Sequence, residues 1–177
     1  MRKSIAAALA TATLALGGSL AGAAPAAAAD ATQASDVVSA AASSTASRAI
    51  CYAAHVQSVG WQAAVCNGSV AGTTGQARNL EALHIATEGT GGLCARAHVR
   101  NVGWQSWVCG NDGTVIGIGT TGKNLPIEAV EIKVGTGEVA GQAHLSGLGW
   151  QGAVSGTYIQ VGTTGQARAM EAIALAV

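Results

Sequence analysis

From Ile50 to the end of the chain, apolar and polar positions alternate in short runs broken by glycine, and one such pattern returns three times. It opens as Cys51-Tyr-Ala-Ala-His-Val-Gln-Ser-Val-Gly-Trp61-Gln62, then as Cys94-Ala-Arg-Ala-His-Val-Arg-Asn-Val-Gly-Trp104-Gln105. The third copy reads Ala140-Gly-Gln-Ala-His-Leu-Ser-Gly-Leu-Gly-Trp150-Gln151. Each copy continues into Gly-Thr-Thr-Gly, at 72–75, 119–122 and 162–165, and closes on an apolar segment holding Glu-Ala, at Glu81, Glu128 and Glu171. Period-two alternation around a glycine-bearing turn predicts a β-hairpin at the head of each copy. The closing segment of copy one is rich in helix formers. Copy two has Pro126 and the alternation Val130, Ile132, Val134 at the same place, which fits a strand. Equivalent repeats share a structure, so a strand is expected in all three.

The four cysteines strengthen the hairpin reading. Cys51 and Cys66 are 15 residues apart, as are Cys94 and Cys109, at matching repeat positions. In an exported chain this spacing predicts two local disulfides; zinc is the competing reading, though no Cys-x-x-Cys or histidine cluster accompanies them. A disulfide joins residues at about the separation of directly opposed strand positions. Extending that register along the hairpin sets Val56 opposite Trp61 and His55 opposite Gln62. By the same arithmetic His98 faces Gln105 and His144 faces Gln151.

Strand alternation then gives each hairpin two faces. Tyr52, Ala54, Val56, Trp61, Ala63 and Val65 form an apolar face, so Trp61, Trp104 and Trp150 are expected in the core. Trp107 has the opposite parity and joins Arg96, His98 and Gln105 on the disulfide face. There an aromatic plate, a cation and a hydrogen-bonding pair form a candidate ligand site. His55 with Gln62 and His144 with Gln151 are its weaker counterparts, and repeat two is expected to dominate affinity. Glu81, Glu128 and Glu171 are expected to be structural, with the Gly-Thr-Thr-Gly backbone and hydroxyls supplying the donors that a part-buried carboxylate needs.

The N-terminal third differs in composition: 20 of the 39 alanines lie in the first 50 residues. Arg2 and Lys3 precede an uncharged apolar run, and Ala27-Ala28-Ala29 offers a small-residue cleavage site, the pattern of a secretory signal peptide over residues 1–29. Residues 30–49, mostly Ala, Ser and Thr, read as a flexible linker. The expected folded unit is residues 50–177, divided at 50–93, 94–138 and 139–177. Nine basic and nine acidic residues, with no basic run, argue against a nucleic-acid surface. After cleavage no membrane span is expected.

These motifs resemble the ChW repeat, a hydrophobic repeat with a conserved Trp, over nearly all of residues 50–177. The third copy departs most: it lacks both cysteines, and Leu145-Ser146 replaces Val-Gln. The resemblance implies a secreted or cell-surface protein that binds glycans or other surface proteins. Three repeats of three or four strands each indicate an all-β domain about a pseudo-threefold axis, β-prism-like first and β-trefoil second. No catalytic motif emerges, such as Gly-x-Ser-x-Gly, His-Glu-x-x-His or a phosphate loop, and no metal or other cofactor is expected. The expectation is a secreted, non-enzymatic binding module for a cell-envelope or environmental glycan. The alternative is a protein-interaction or surface-structural module without a sugar site.

Overall fold

A computed structural model describes residues 26–44 and 46–177. Repeat one contributes β1 (Ala49–Val56), β2 (Gly60–Trp61), β3 (Val65–Cys66), β4 (Val70–Gly72) and β5 (Leu80–Glu88). Repeat two contributes β6 (Leu93–Val99), β7 (Gly103–Trp104), β8 (Val108–Gly110), β9 (Ile116–Gly119) and β10 (Ile127–Val134). Repeat three contributes β11 (Val139–Leu145), β12 (Gly149–Trp150), β13 (Val154–Gly156), β14 (Tyr158–Gly162) and β15 (Met170–Ala176). The closing segments are strands in all three copies, so tertiary pairing overrides the helix formers of β5.

Three five-stranded sheets result, and none belongs to one repeat alone. The sheet built on β1 and β5 takes β9 from repeat two. That on β6 and β10 takes β14 from repeat three, and that on β11 and β15 takes β4 from repeat one. Each repeat therefore lends its fourth strand to the sheet of the repeat before it, and the first repeat closes the cycle with the last. One continuous core lies behind all three sheets, with Tyr52, Leu83 and Ile85 meeting Ile127, Val130, Ile132, Leu145 and Ile173. No single repeat could bury its own apolar face this way.

Tyr52 helps to lock the closure. Its hydroxyl accepts from the Leu175 N–H at 2.8 Å and donates to the Ser69 carbonyl, tying the first repeat to the last strand. Burial pushes the Tyr52 hydroxyl up to about 12, against the lowering effect of the Leu175 backbone bond. The folded state thus favours neutral tyrosine. Its contribution should be intact below the ordinary tyrosine range near pH ~10, and be lost as pH rises through about 12. Tyr52→Phe should cost about 1–3 kcal/mol at neutral pH by orphaning its backbone partners. It should also remove this part of the alkaline loss, as read from urea midpoints at rising pH.

Both expected disulfides form, Cys51–Cys66 and Cys94–Cys109. In repeat three the same cross-strand position pairs Ala140 with Ser155. The expected linker is corrected in part: an α-helix, α1 (Ala26–Ala42), spans much of it. Alanine favours helix, and the i, i+4 pair Val37 and Ala41 is buried against Cys51, Ala53 and Ala86 on the outer face of the first sheet. Small residues on both sides allow close approach, so a stretch with little bulk still finds a packed face. The signal-peptide reading falls almost entirely on residues outside those described. Among the described residues, no helix is long and apolar enough to cross a membrane.

Candidate functional site

The expected hairpin register holds at the disulfide end, where Tyr52 faces Val65. It fails at the turn. There Trp61 pairs with His55 and Gly60 with Val56, one residue out of step with the cysteine pairing. The slip falls in the non-strand stretch 62–64 and recurs in the other copies, where His98 pairs with Trp104 and His144 with Trp150. One extra residue reverses the parity of everything beyond it. The core placement of Trp61, Trp104 and Trp150 is therefore corrected: all three sit on the outer face, partly exposed, and Trp150 retains 39% of its surface.

The His–Gln pairing is corrected as well. Gln62, Gln105 and Gln151 point toward their own Gly-Thr-Thr-Gly segments. Gln105 receives the Gly119 N–H at 2.8 Å and donates to the Gly119 carbonyl at 3.1 Å. Gln62 does the same at Gly72, and Gln151 receives the Gly162 N–H at 2.9 Å. Each glutamine thereby holds the strand that its repeat lends to its neighbour.

A row of four residues crosses each sheet. In the first, Trp61 pairs with His55, His55 with Ala82, and Ala82 with Gly119 of the next repeat. The second row is Trp104–His98–Ala129–Gly162, and the third is Trp150–His144–Ala172–Gly72. Imidazole and indole meet edge to face in every row, with centroids 5.3–5.4 Å apart. A β-bulge lies beside each histidine, at His55/Val56, at Ile127/Ala129 and at His144/Leu145. The bulge re-aims the unpaired residue, which is Glu81, Glu128 or Glu171, toward the histidine.

All three carboxylates are buried, and their principal partners are not those expected. His55 Nδ1 lies 3.1 Å from Glu81 Oε2, His98 Nδ1 3.3 Å from Glu128 Oε2, and His144 Nδ1 3.1 Å from Glu171 Oε2. These three contacts are close in distance but lack hydrogen-bond geometry at Nδ1; Arg100 Nε donates a 2.9 Å hydrogen bond to Glu128 Oε1. The Gly-Thr-Thr-Gly loop instead satisfies the backbone of the same glutamates. Thr120, Thr163 and Thr73 donate their N–H groups to the carbonyls of Glu81, Glu128 and Glu171 at 2.8–2.9 Å. The hydroxyls of these threonines are buried and lack a hydrogen-bond partner within the protein.

Each junction thus brings together the same parts: tryptophan and histidine from one repeat, the Thr-Thr-Gly loop of its neighbour, and an exposed apolar residue of the turn. These lip residues, Val59, Val102 and Leu148, are 53%, 57% and 54% exposed. The cleft between repeats one and two measures about 770 Å³ and is lined by His55, Trp61, Glu81, Thr121 and Gly122.

Repeat two carries the additional group anticipated around Trp107, but its ring is occupied. The Arg96 guanidinium sits 4.8 Å from the Trp107 centroid and 4.9 Å from that of Trp104, and Lys133 lies 4.5 Å from Trp107. Arg96 is also paired with Glu131, which accepts from the Tyr158 hydroxyl at 2.6 Å. Burial raises the Glu131 carboxyl, but the bonds from Arg96 and Tyr158, with the Arg96 charge, outweigh it and hold the group below the usual range. Glu131 and Tyr158 were missed because no motif marks them and Tyr158 arrives from the next repeat. Of the expected ligand set, the structure brings Arg96, His98 and Trp107 to one face and sends Gln105 to the Gly119 backbone. Among the described residues, no group of three or more His, Cys, Asp or Glu is placed to hold a metal ion.

Three tandem copies sharing one core and one type of junction cleft define a repeat-built all-β module. Residues 55–89, 98–135 and 144–177 match the ChW family, Clostridial hydrophobic W, and the chain belongs to it. No curated protein and no solved structure shows a significant match to the chain.

Proposed function

We propose that this protein is a secreted, non-catalytic binding module that recognises a glycan of the cell envelope or environment through the clefts between its repeats. The observation that carries this reading is the threefold recurrence of one arrangement: a part-exposed Trp, a His on a buried Glu, and a threonine loop under an apolar lip. Sugar sites combine an apolar plate with a few placed polar groups. Three copies on one rigid core suit multivalent binding to a repeating polymer. Each junction glutamate is engaged by a histidine in its own cleft, which favours a structural carboxylate over an acid–base pair. The disulfides fit an oxidising compartment. In the same reading the three sheets form the sides of a β-prism.

The test is a glycan array probed with residues 30–177, alongside association with intact cell envelopes. Saturable binding to a family of related glycans is the expected result. Silence across the array with retained envelope association would overturn the glycan reading and favour a protein-interaction or surface-structural module, with Val59, Val102 and Leu148 as its contacts.

A further inference from the structure

The three clefts share a plan but differ in what already fills them. In repeat one a second imidazole, His84, stacks on Trp61 with centroids 4.1 Å apart and planes 17° from parallel. In repeat two the planar Arg96 guanidinium lies over Trp104. The indole at this position therefore accepts a flat group, and two of the three copies supply one from within. In repeat three Ala174 stands where repeat one has His84, and Gln142 stands where repeat two has Arg96. Among the described residues, the ring or cation partner of Trp150 is His144 alone.

A second, independent difference concerns the bridge across each cleft. Gln57 of the first turn donates its amide to Asn124 of the neighbouring loop. Arg100 of the second turn donates to the Ala167 carbonyl at 2.7 Å. The matching residue in repeat three is Ser146, facing the loop that contains Ala77. Among the described residues no hydrogen bond joins those two. This cleft has neither an internal stacking group nor a bridge, yet it keeps the common polar parts. His144 Nδ1 lies 3.1 Å from Glu171 Oε2, which leaves Nε2 on the far side of the ring.

We infer that the principal ligand site is the cleft between repeat three and repeat one, and that Trp150 is its platform for a gluco-configured pyranose of a β-linked chain. This rests on the glycan reading above. Equatorial hydroxyls leave such a ring with two flat C–H faces, the shape that a bare indole plate stacks against. His144 then meets the hydroxyls at the ring's edge through Nε2. Clefts one and two, already filled and bridged, bind more weakly and add avidity.

The experiment measures cellotetraose and an N-acetylglucosamine tetramer by calorimetry and tryptophan fluorescence. Wild-type protein should bind at least one. Trp150→Ala should weaken that binding at least tenfold, whereas Trp61→Ala and Trp104→Ala should change it by less than about threefold. His84 lies against Gly117, whereas Ala174 pairs with Val70, so the double variant Ala174→His/Val70→Gly is the one that reproduces the repeat-one stack over Trp150; it should also abolish binding, with circular dichroism showing that it folds. Binding that survives both Trp150→Ala and this double variant overturns the assignment of the cleft and leaves the glycan reading intact. Failure of wild type to bind either oligosaccharide, with array binding to other glycans, overturns the assigned sugar class. Silence on the array as well overturns both.

Discussion

Replacing Gly119 by alanine should destabilise the protein by roughly 3–6 kcal/mol, combining backbone strain with overpacking. Gly119 has φ +88°, and a Cβ there would lie 2.4 Å from the Glu81 carbonyl oxygen and 2.8 Å from the Ala82 Cα. Both obstacles are backbone of the neighbouring repeat, so relief requires the lent strand to back away from its sheet. Gly72 and Gly162 stand in the same relation to Glu171 and Glu128, with the carbonyl oxygen 2.3 Å from the added carbon. Gly72→Ala and Gly162→Ala should therefore behave alike. The last glycine of the same motif provides the control. Gly75, Gly122 and Gly165 also have positive φ, near +70°, but open space where the Cβ would go. Alanine there should cost about 1–2 kcal/mol, the backbone strain alone. Urea denaturation of the two series decides the matter; equal losses would show that strand lending does not depend on this close contact.

Removing both disulfides should cost about 6 kcal/mol, since closing a loop of each observed length contributes about 3 kcal/mol in the chain-entropy account. That is a large share of the ~5–15 kcal/mol that holds a typical domain together. The Cys51→Ala/Cys66→Ala and Cys94→Ala/Cys109→Ala double variants should each lose about half of the total. Reductant added during denaturation should reproduce the combined loss in the wild-type protein. Repeat three shows that a copy folds without the bond: its Ala140 and Ser155 hold the same cross-strand position. If the Cys-free protein unfolds at the same denaturant concentration as the native one, the loops are held by sheet packing and the disulfides are redundant.

Much of this design was legible in one dimension. The three copies, their strand character and the two cysteine pairs follow from spacing and alternation. So does the inward face of β1, because Ile50, Tyr52, Ala54 and Val56 share a parity and all enter the core. The glutamates, expected to be part-buried, are buried, though a bulge rather than alternation places them. The reading broke at Gln62, where one unpaired residue turned Trp61 outward and brought it to His55. It broke again at Glu81, whose side chain a bulge directs to the histidine. Nothing in the residue types at 62–64 marks the slip, since Gln, Ala and Ala suit a regular strand edge as well as an irregular one.

Sequence by itself determined the local facts of this protein, because a β-hairpin, its turn and its disulfide lie within 16 consecutive residues. The tertiary structure decided which repeat supplies β9, β14 and β4, because backbone hydrogen bonds carry no record of which strand they will meet. It also decided that α1 would cover only the first sheet, and that the stacking position over the tryptophan would be filled in two clefts and bare in the third. Those outcomes depend on residues apart in the chain, such as His84 stacked on Trp61, which meet only once β2 and β5 have both paired with β1.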